Sequence, residues 1–337
     1  MRHRLALTLF VVATLSVSSL FADDAEPAAS ALREAISKTI PLLEKGMAGS
    51  AEQRTCFTCH NQAVPVMAMI EVRDRGFEID EENLQRQLKH TAKHLKRGQK
   101  GYLAGKGQGG QVLTAGYALW TLDVAEHKPG EVTAAVSGYL LEYQKKSDHW
   151  SHGGNRPPSS GSHFTATYLA LRGLDYFGTE EQATKIEERK KTVRQWLLKK
   201  TPKDTEDRVF RLRSLGYVDA DEKTIQQATT ELLEQQRDDG GWSQKANMKS
   251  DAYATSTALV ALLRDGNIKA DHPGVRRGIS YLLETQKEDG SWHVVTRAKP
   301  IQKYFESGFP HGKDQFISMA ASSWATIALT LVLPETP

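Results

Sequence analysis

The sequence predicts an all-α fold of about six helical hairpins. Apolar residues recur at helical spacing, and no run alternates as a half-buried strand does. Leucine- and alanine-rich segments are separated by glycine, proline and aspartate, which end helices. The predicted pairs are 30–45 with 61–75, 79–97 with 112–124, 131–145 with 163–177, 181–200 with 206–216, 222–237 with 253–265, and 273–287 with 321–332.

The second helix of each hairpin differs in composition from the first. It combines small residues with leucine, as in residues 114–119 and 256–259. Small residues let helices pack closely on several sides, so we predict that the second helices are the buried inner ones. The first helices carry charges between their leucines and should face water.

Composition and charge exclude several classes of protein. The 337 residues allow one large domain or two ordinary ones, and 39% hydrophobic content excludes global disorder. The 44 basic and 41 acidic residues nearly cancel, so charge gives no reason to expect nucleic acid as a partner. Two cysteines are too few for a disulfide-stapled scaffold.

Residues 1–22 have the pattern of a secretory signal peptide. Arg2 and Arg4 form a basic start, an apolar run extends from Leu5 to Leu20, and Ala22 offers a cleavage point. The alternative is an uncleaved membrane anchor, which the shortness of the run disfavours. We therefore expect a mature protein that is periplasmic or secreted and has no membrane span.

Three of the first helices end in a shared pattern. A Leu-Leu helix end is followed by glutamine and, six positions later, by tryptophan: Gln144 and Trp150, Gln236 and Trp242, Gln286 and Trp292. We expect a glycine in the turn to close the helix. The tryptophan ring should then cover the helix end while the glutamine amide bonds the freed backbone groups.

These residues resemble the QW motif of the squalene and hopene cyclase class. The complete copy comprises Arg277, Gly278, Tyr281, Leu282, Gln286, Gly290 and Trp292, and the other two copies are partial. The resemblance covers residues from about 110 to 333 and implies an α/α toroid of inner and outer helix rings. We divide the mature chain into N-terminal helices, 23–110, and toroid repeats, 111–337, which form one continuous toroid.

The resemblance does not by itself imply cyclase activity. In that family an Asp-x-Asp-Asp motif supplies a protonated carboxylic acid, and we take residues 250–255 as the corresponding segment, with Asp251 as its single acid. Protein prenyltransferases share the toroid but bind zinc through Asp, Cys and His, and here no cysteine falls within the repeats. We therefore expect neither activity.

Residues 56–60 read Cys-Phe-Thr-Cys-His, the attachment signature of c-type haem. The thiols of Cys56 and Cys59 would add to two haem vinyl groups, and His60 would ligate the iron. The alternatives are a redox pair, which lacks a βαβ context, and a zinc half-site, which lacks two further ligands. We predict one covalent haem c.

The chain also resembles exported bacterial squalene-cyclase-like proteins that carry such a motif. Residues Ser307 to Gly312 of this chain are similar to the C-terminal signature of those proteins.

The second axial ligand of the iron is left open by the sequence. Met67 and Met69 follow His60 on one helix, cannot easily reach the opposite haem face, and are interpreted as core residues. The candidates from other loops, each also typical of a solvated histidine, are His149, His152, His163 and His311. A five-coordinate iron is the alternative.

A second polar set lies at the ends of predicted inner helices. Its members are Arg156, Asp207, Asp251, Tyr253, Tyr304, Glu306, His311 and Asp314. Loops on one rim of a helical barrel converge, so these residues form a candidate binding site at a cavity mouth. The alternative is a network of caps and salt bridges. The basic runs 89–100 and 185–200 are expected to be solvated outer faces.

Together these observations favour an exported haem protein that transfers electrons to a redox partner protein. The first alternative is a haem enzyme or sensor whose open iron site takes a small or apolar molecule. The second is a toroid that binds an apolar ligand, a lipid or a glycan, without catalysis. The sequence leaves open whether the protein is an enzyme.

Overall fold

The computed structural model describes residues 28–154, 156–300 and 303–334. The predicted signal peptide lies outside these ranges. Within them there are twelve α-helices and no strand. The helices are α1 Ala29–Gln53, α2 Val64–Asp74, α3 Glu81–Leu103, α4 Gln111–Val124, α5 Glu131–Glu142, α6 His163–Phe177, α7 Ala183–Lys199, α8 Thr205–Leu215, α9 Glu222–Leu233, α10 Ala252–Arg264, α11 Pro273–Thr285 and α12 Gln315–Val332.

The even-numbered helices form a closed inner ring. Each packs on the next, from α2 through α4, α6, α8 and α10 to α12, and α12 packs back on α2. The odd-numbered helices surround this ring, and α11 contacts α1 to join the last hairpin to the first. Because inner helices are covered on both sides, every residue from Ala252 to Leu262 of α10 is buried. The predicted all-α toroid of six hairpins is confirmed.

Helix α1 extends beyond its predicted segment, and in the added part it approaches the C-terminal segment closely. Helix α1 was predicted to end at residue 45 but continues to Gln53. A side chain on Gly49 would overlap the carbonyl of Ser307, and one on Gly46 would press on Met319. Glycine usually weakens a helix, but here it lets the C-terminal segment pack against α1.

The three predicted tryptophans cap the ends of outer helices. The Nε1 atom of Trp150, Trp242 and Trp292 donates to the carbonyl of the leucine ten residues earlier, at 2.9, 2.9 and 2.8 Å. All three rings are buried. A helix leaves its last carbonyls without intrahelical partners, so each indole satisfies one of them.

The glutamine of the last copy closes the ring of outer helices. Gln286 Nε2 donates to the carbonyl of Gly290 in its own turn at 3.0 Å and to the carbonyl of Ala35 in α1 at 2.9 Å. Gly290 has a φ of +88°, and a Cβ there would meet the backbone of Lys38. Glycine is therefore required by both conformation and space. The glutamine amide does bond backbone carbonyls, but they belong to the turn and to α1 and not to the end of its own helix.

One described helical segment is long and apolar enough to cross a membrane. It spans Gly312–Val332, with a mean hydropathy of 1.4, and 78% of its most apolar window is buried inside the protein. An inner helix of a toroid is apolar all round because other helices cover it, which accounts for this composition. The absence of a membrane span stays a prediction.

Candidate functional site

The Cys-x-x-Cys-His segment lies between α1 and α2, where a single π-helical turn, Cys59–Ala63, precedes α2. Thr58 caps this turn, because its hydroxyl accepts a hydrogen bond from the amide of Asn61 at 3.2 Å. In return, Gln62 Oε1 accepts from the amide of Thr58 at 2.9 Å. These reciprocal bonds fix the backbone between the two thiols.

Helix α3 also holds the segment. His90, His94 and Arg97, which lie on one face of α3, bond the backbone of residues 55–57. His90 Nε2 donates to the carbonyl of residue 56 at 3.2 Å, and His94 Nδ1 accepts from the amide of residue 57 at 3.3 Å. Burial lowers the pKa of His94 to about 4, so its ring is neutral and can accept.

These α3 contacts correct the expectation that residues 89–100 are a solvated face. His94 is only 8% exposed. The run 185–200 is not wholly solvated either, since buried Arg189 donates to the carbonyl of Ser147 and lies 4.2 Å from the ring centre of Trp150. Spacings of four and three between His90, His94 and Arg97 were the available signal.

The thiols and the imidazole differ in exposure. Cys56 is exposed, Cys59 is half-buried, and both are free. Cys59 Sγ lies 3.6 Å from His60 Nδ1, and burial raises the pKa of the Cys59 thiol. Burial, reinforced by the positive charge of Arg156, lowers the pKa of His60 to about 3. The imidazole is therefore neutral at physiological pH, which is the form that binds a metal.

Two cavities adjoin at His60. The smaller, of about 280 Å³, is lined by both thiols together with residues of the α4 N-terminus. The larger, of about 590 Å³, is lined by the α12 N-terminus and by residues 296, 298–300, 303 and 304. Both share His60, Arg156 and Ser159 in their walls. The site thus lies at the rim formed by the N-terminal ends of inner helices.

The residues present fit a covalent haem. This attachment requires two free thiols, which form the thioether bonds, and a neutral imidazole, which binds the iron; all three are present. Both thiols line the smaller cavity, so a haem would attach on that side of His60. Arg156, in the wall of both cavities, is a cation suited to a haem propionate. Within the described ranges no three His, Cys, Asp or Glu side chains are grouped to hold a bare metal ion.

The predicted distal histidines lie apart from these two cavities. His149 and His152 lie 5.1 and 4.7 Å from His163, measured between ring centres, and neither cavity is lined by any of the three. His311 Nε2 instead hydrogen-bonds Ser291 Oγ at 2.7 Å. The role of each as an iron ligand stays a prediction. Met67 and Met69 are buried in the core, as expected.

The predicted rim set is divided between cavity lining and helix capping. Arg156 and Tyr304 line the larger cavity, and Tyr304 donates to Glu306. The other acids cap or tie loops: Asp207 accepts from Ser162 Oγ at 2.6 Å, Asp251 accepts from the amide of Ala254 at 3.0 Å, and Asp314 accepts from the amide of Thr296 at 3.0 Å. Neither cavity is lined by Asp207, Asp251, Tyr253, Glu306 or Asp314.

Sequence reasoning missed a buried carboxylic acid at the start of α8. Glu206 is 4% exposed and accepts a hydrogen bond from Thr165 Oγ1 at 2.8 Å. Burial raises its pKa to about 8, and the charges of Asp204 and Asp207 act in the same direction. The acids at 204, 206 and 207 have the spacing of an Asp-x-Asp-Asp motif. This motif was missed in the sequence because its third position is a glutamate, Glu206, and not an aspartate.

A buried arginine of α8 lies among aromatic rings of the inner helices. The guanidinium carbon of Arg213, which is 3% exposed, lies 4.9 Å from the ring centre of Trp120, 4.7 Å from that of Tyr168 and 5.7 Å from that of Trp324. Arg213 Nε also pairs with Asp265 at 3.1 Å. Aromatic faces attract a cation, so side chains of three inner helices, α4, α6 and α12, surround this guanidinium.

Fold and site together define an α/α toroid with a Cys-x-x-Cys-His segment at one rim. The family model of the squalene-hopene cyclase C-terminal domain matches residues 203–326. A variant of the type II terpene cyclase MstE from Scytonema, in complex with merosterolic acid A (product), has a TM-score of 0.60 at 13% identity and covers 91% of this chain and 99% of that chain.

Two further solved structures show the same likeness. MstE in its apo form gives a TM-score of 0.57 at 14% identity, covering 92% of this chain and 100% of that chain. A protein from Actinoplanes gives 0.58 at 11% identity, covering 90% and 100%. No curated protein sequence matches the chain. In fold the protein is thus similar to the squalene-hopene and type II terpene cyclases, and the predicted α/α toroid is confirmed.

Proposed function

We propose that the protein is an exported toroid that carries one haem c, bound covalently through Cys56 and Cys59 and ligated by His60. The observation that carries this proposal is the convergence of two free thiols and a neutral imidazole on adjoining cavities at one rim. Haem, when bound, supplies an iron centre able to exchange electrons or bind a small ligand.

The chain's own residues give the attachment its geometry. Thr58, Gln62 and α3 fix the backbone between the thiols before any cofactor arrives. Burial keeps His60 neutral, and its ring packs against that of Phe316 at 4.9 Å between ring centres. Held in this way, the imidazole needs little reorganisation to bind a metal.

Among haem functions, the cavities favour a sensor or enzyme with an open iron position. Apart from His60, no described residue lining either cavity is a histidine or a methionine, the usual axial ligands. Electron transfer to a redox partner protein is the second candidate, and would require a ligand from beyond the two linings, such as His152, His163 or His311.

The spin state of the ferric protein separates these two functions. We expect a high-spin spectrum that becomes low-spin when imidazole or cyanide is added, because the sixth position is open. His60→Gly should lose the proximal bond but keep covalent haem, and added imidazole should restore it. A low-spin spectrum without added ligand would contradict the open site and favour electron transfer.

A terpene cyclase is a further candidate because Glu206 is a buried neutral acid, the group that protonates an alkene in that class. The surroundings of Arg213 argue against it. The aromatic faces that could stabilise a carbocation, those of Trp120 and Tyr168, already interact with the buried guanidinium of Arg213. We therefore assign Glu206 a structural role.

Glu206→Gln tests that assignment through the pH dependence of stability. With a folded pKa of about 8 and an ordinary value of 4.5, Glu206 keeps a proton that the unfolded chain releases between these values. Stability should therefore fall as the pH rises across this window, and be flat above it. Glutamine is always neutral, so the variant should lose this fall and be the more stable protein near pH 8.

Thermal unfolding from pH 5 to 9 measures the effect, and Glu284→Gln, on the exposed face of α11, is the matched control that should keep the wild-type slope. Identical slopes in wild type and Glu206→Gln would refute the neutral acid. Cyclised product from squalene with wild type, lost in Glu206→Gln, would establish the cyclase instead.

A further inference from the structure

The larger cavity beside His60 is amphipathic. Buried His60 and Ala320 lie at its inner side, while half-buried Phe316 and Ile317 form an apolar wall. Three lysines in its lining are exposed: Lys299, Lys303 and Lys313. The polar atoms are therefore collected at the mouth, and apolar surface leads inward from them.

The charges around this mouth are of one sign. With Arg156, the lining holds four cations, and none of the described lining residues is acidic. No ion pair joins any of the four to a carboxylate in the described chain. Two acids lie near the lining: Asp314 bonds His293 Nε2 at 2.9 Å and is close enough to Lys313 for their charges to attract, and Glu306 accepts from Tyr304.

We propose that this cavity binds a single-chain amphiphile with an anionic head. The head, a carboxylate or a phosphate, would be held by Lys299, Lys303 and Lys313, and the apolar chain would pack on Phe316 and Ile317. Several cations at one mouth attract an anion, and the apolar wall adds burial of the chain. The inference deepens the proposed function by naming the ligand class, while binding itself does not require haem.

The same lysines could instead serve the propionates of haem, and the two roles are separable. In that case an added amphiphile would bind only when haem is absent. Binding is therefore measured on the haem-loaded wild type and on a Cys56→Ser/Cys59→Ser double variant. A ligand of the toroid binds both forms.

Calorimetric titrations below the micelle concentration, with hexadecanoate, hexadecyl phosphate and hexadecanol, test the class of ligand. We expect both anions to bind one molecule per chain, and hexadecanol to bind about tenfold more weakly. The two anions also distinguish a carboxylate site from a phosphate site. Raising the salt concentration should weaken the anions and leave the alcohol unchanged.

Two variants locate the site. The triple variant Lys299→Ala/Lys303→Ala/Lys313→Ala should weaken both anions about tenfold and leave hexadecanol unaffected. Lys191→Ala, an exposed lysine on outer helix α7, is the control and should change nothing. Ile317→Trp should block all three compounds by filling the cavity, and circular dichroism checks that it folds.

Several results would overturn the inference. Three results would each refute the binding of an anionic amphiphile. They are equal affinity for hexadecanoate and hexadecanol, unchanged binding by the triple lysine variant, and no binding by either protein form. Binding confined to the double serine variant would assign the lysines to haem propionates, and would support the haem proposal while refuting this one. Failure of haem attachment with normal hexadecanoate binding would refute only the proposed haem.

Discussion

Replacing Cys56 and Cys59 together with serine should abolish covalent haem and leave the toroid folded. A thioether bond needs sulfur, so serine cannot form it, although its side chain is of similar size. The backbone of this segment is held by Thr58, Gln62 and α3, and none of these contacts uses a thiol. We expect the free energy of unfolding of the haem-free protein to stay within about 0.5 kcal/mol of that of haem-free wild type.

Haem staining of a denaturing gel and the thermal unfolding midpoint measure the two halves of this prediction. Thr55→Ser is the matched control, because it alters an exposed side chain in the same segment and keeps both thiols. It should stain as wild type does. Haem that stays attached to the double variant after denaturation would show that other residues hold it.

Trp292→Ala should cause the largest loss of stability among the QW positions. The ring is 1% exposed, its Nε1 donates to the carbonyl of Leu282 at 2.8 Å, and the backbone amide of Trp292 donates to Ser322 Oγ at 3.0 Å. Removing a buried tryptophan costs about 3–5 kcal/mol through lost burial and the cavity left behind. Loss of the tryptophan ring should also weaken the contact between α11 and α1 that closes the ring of outer helices.

Chemical denaturation measures this cost. Trp292→Phe is the control, since it keeps most of the buried ring and loses only the Nε1 hydrogen bond, worth about 1 kcal/mol. We expect the order of stability to be wild type, then Trp292→Phe, then Trp292→Ala. A Trp292→Ala protein within about 1 kcal/mol of wild type would contradict the capping role assigned to the tryptophans.

The fold could be predicted from the sequence because its signals are local and repeated. Helical spacing gave all six hairpins, and small residues identified the inner helices, as the buried run from Ala252 to Leu262 shows. The spacing of glutamine and tryptophan predicted the contact of the tryptophan with the adjacent helix end. Helix ends were less accurate, since the extension of α1 past Gly46 depends on contact with Met319, far away in sequence.

The candidate site could be predicted only where its residues are neighbours in the chain. Cys56, Cys59 and His60 form a continuous motif, so spacing alone identified them. Ring closure brings Phe316 of α12 against His60, and no local pattern contains that contact. For the same reason the sequence could not show that lysines at 299, 303 and 313 share a cavity with His60.

The most direct test of the central claim is a haem-stained denaturing gel of the wild-type protein. The full chain should be expressed for export together with the cytochrome c maturation system, and a pyridine haemochrome spectrum recorded on the purified product. We predict one haem per chain that survives denaturation and shows the spectrum of thioether-linked haem. A folded but colourless protein would contradict the claim and return Cys56 and Cys59 to a redox or structural role.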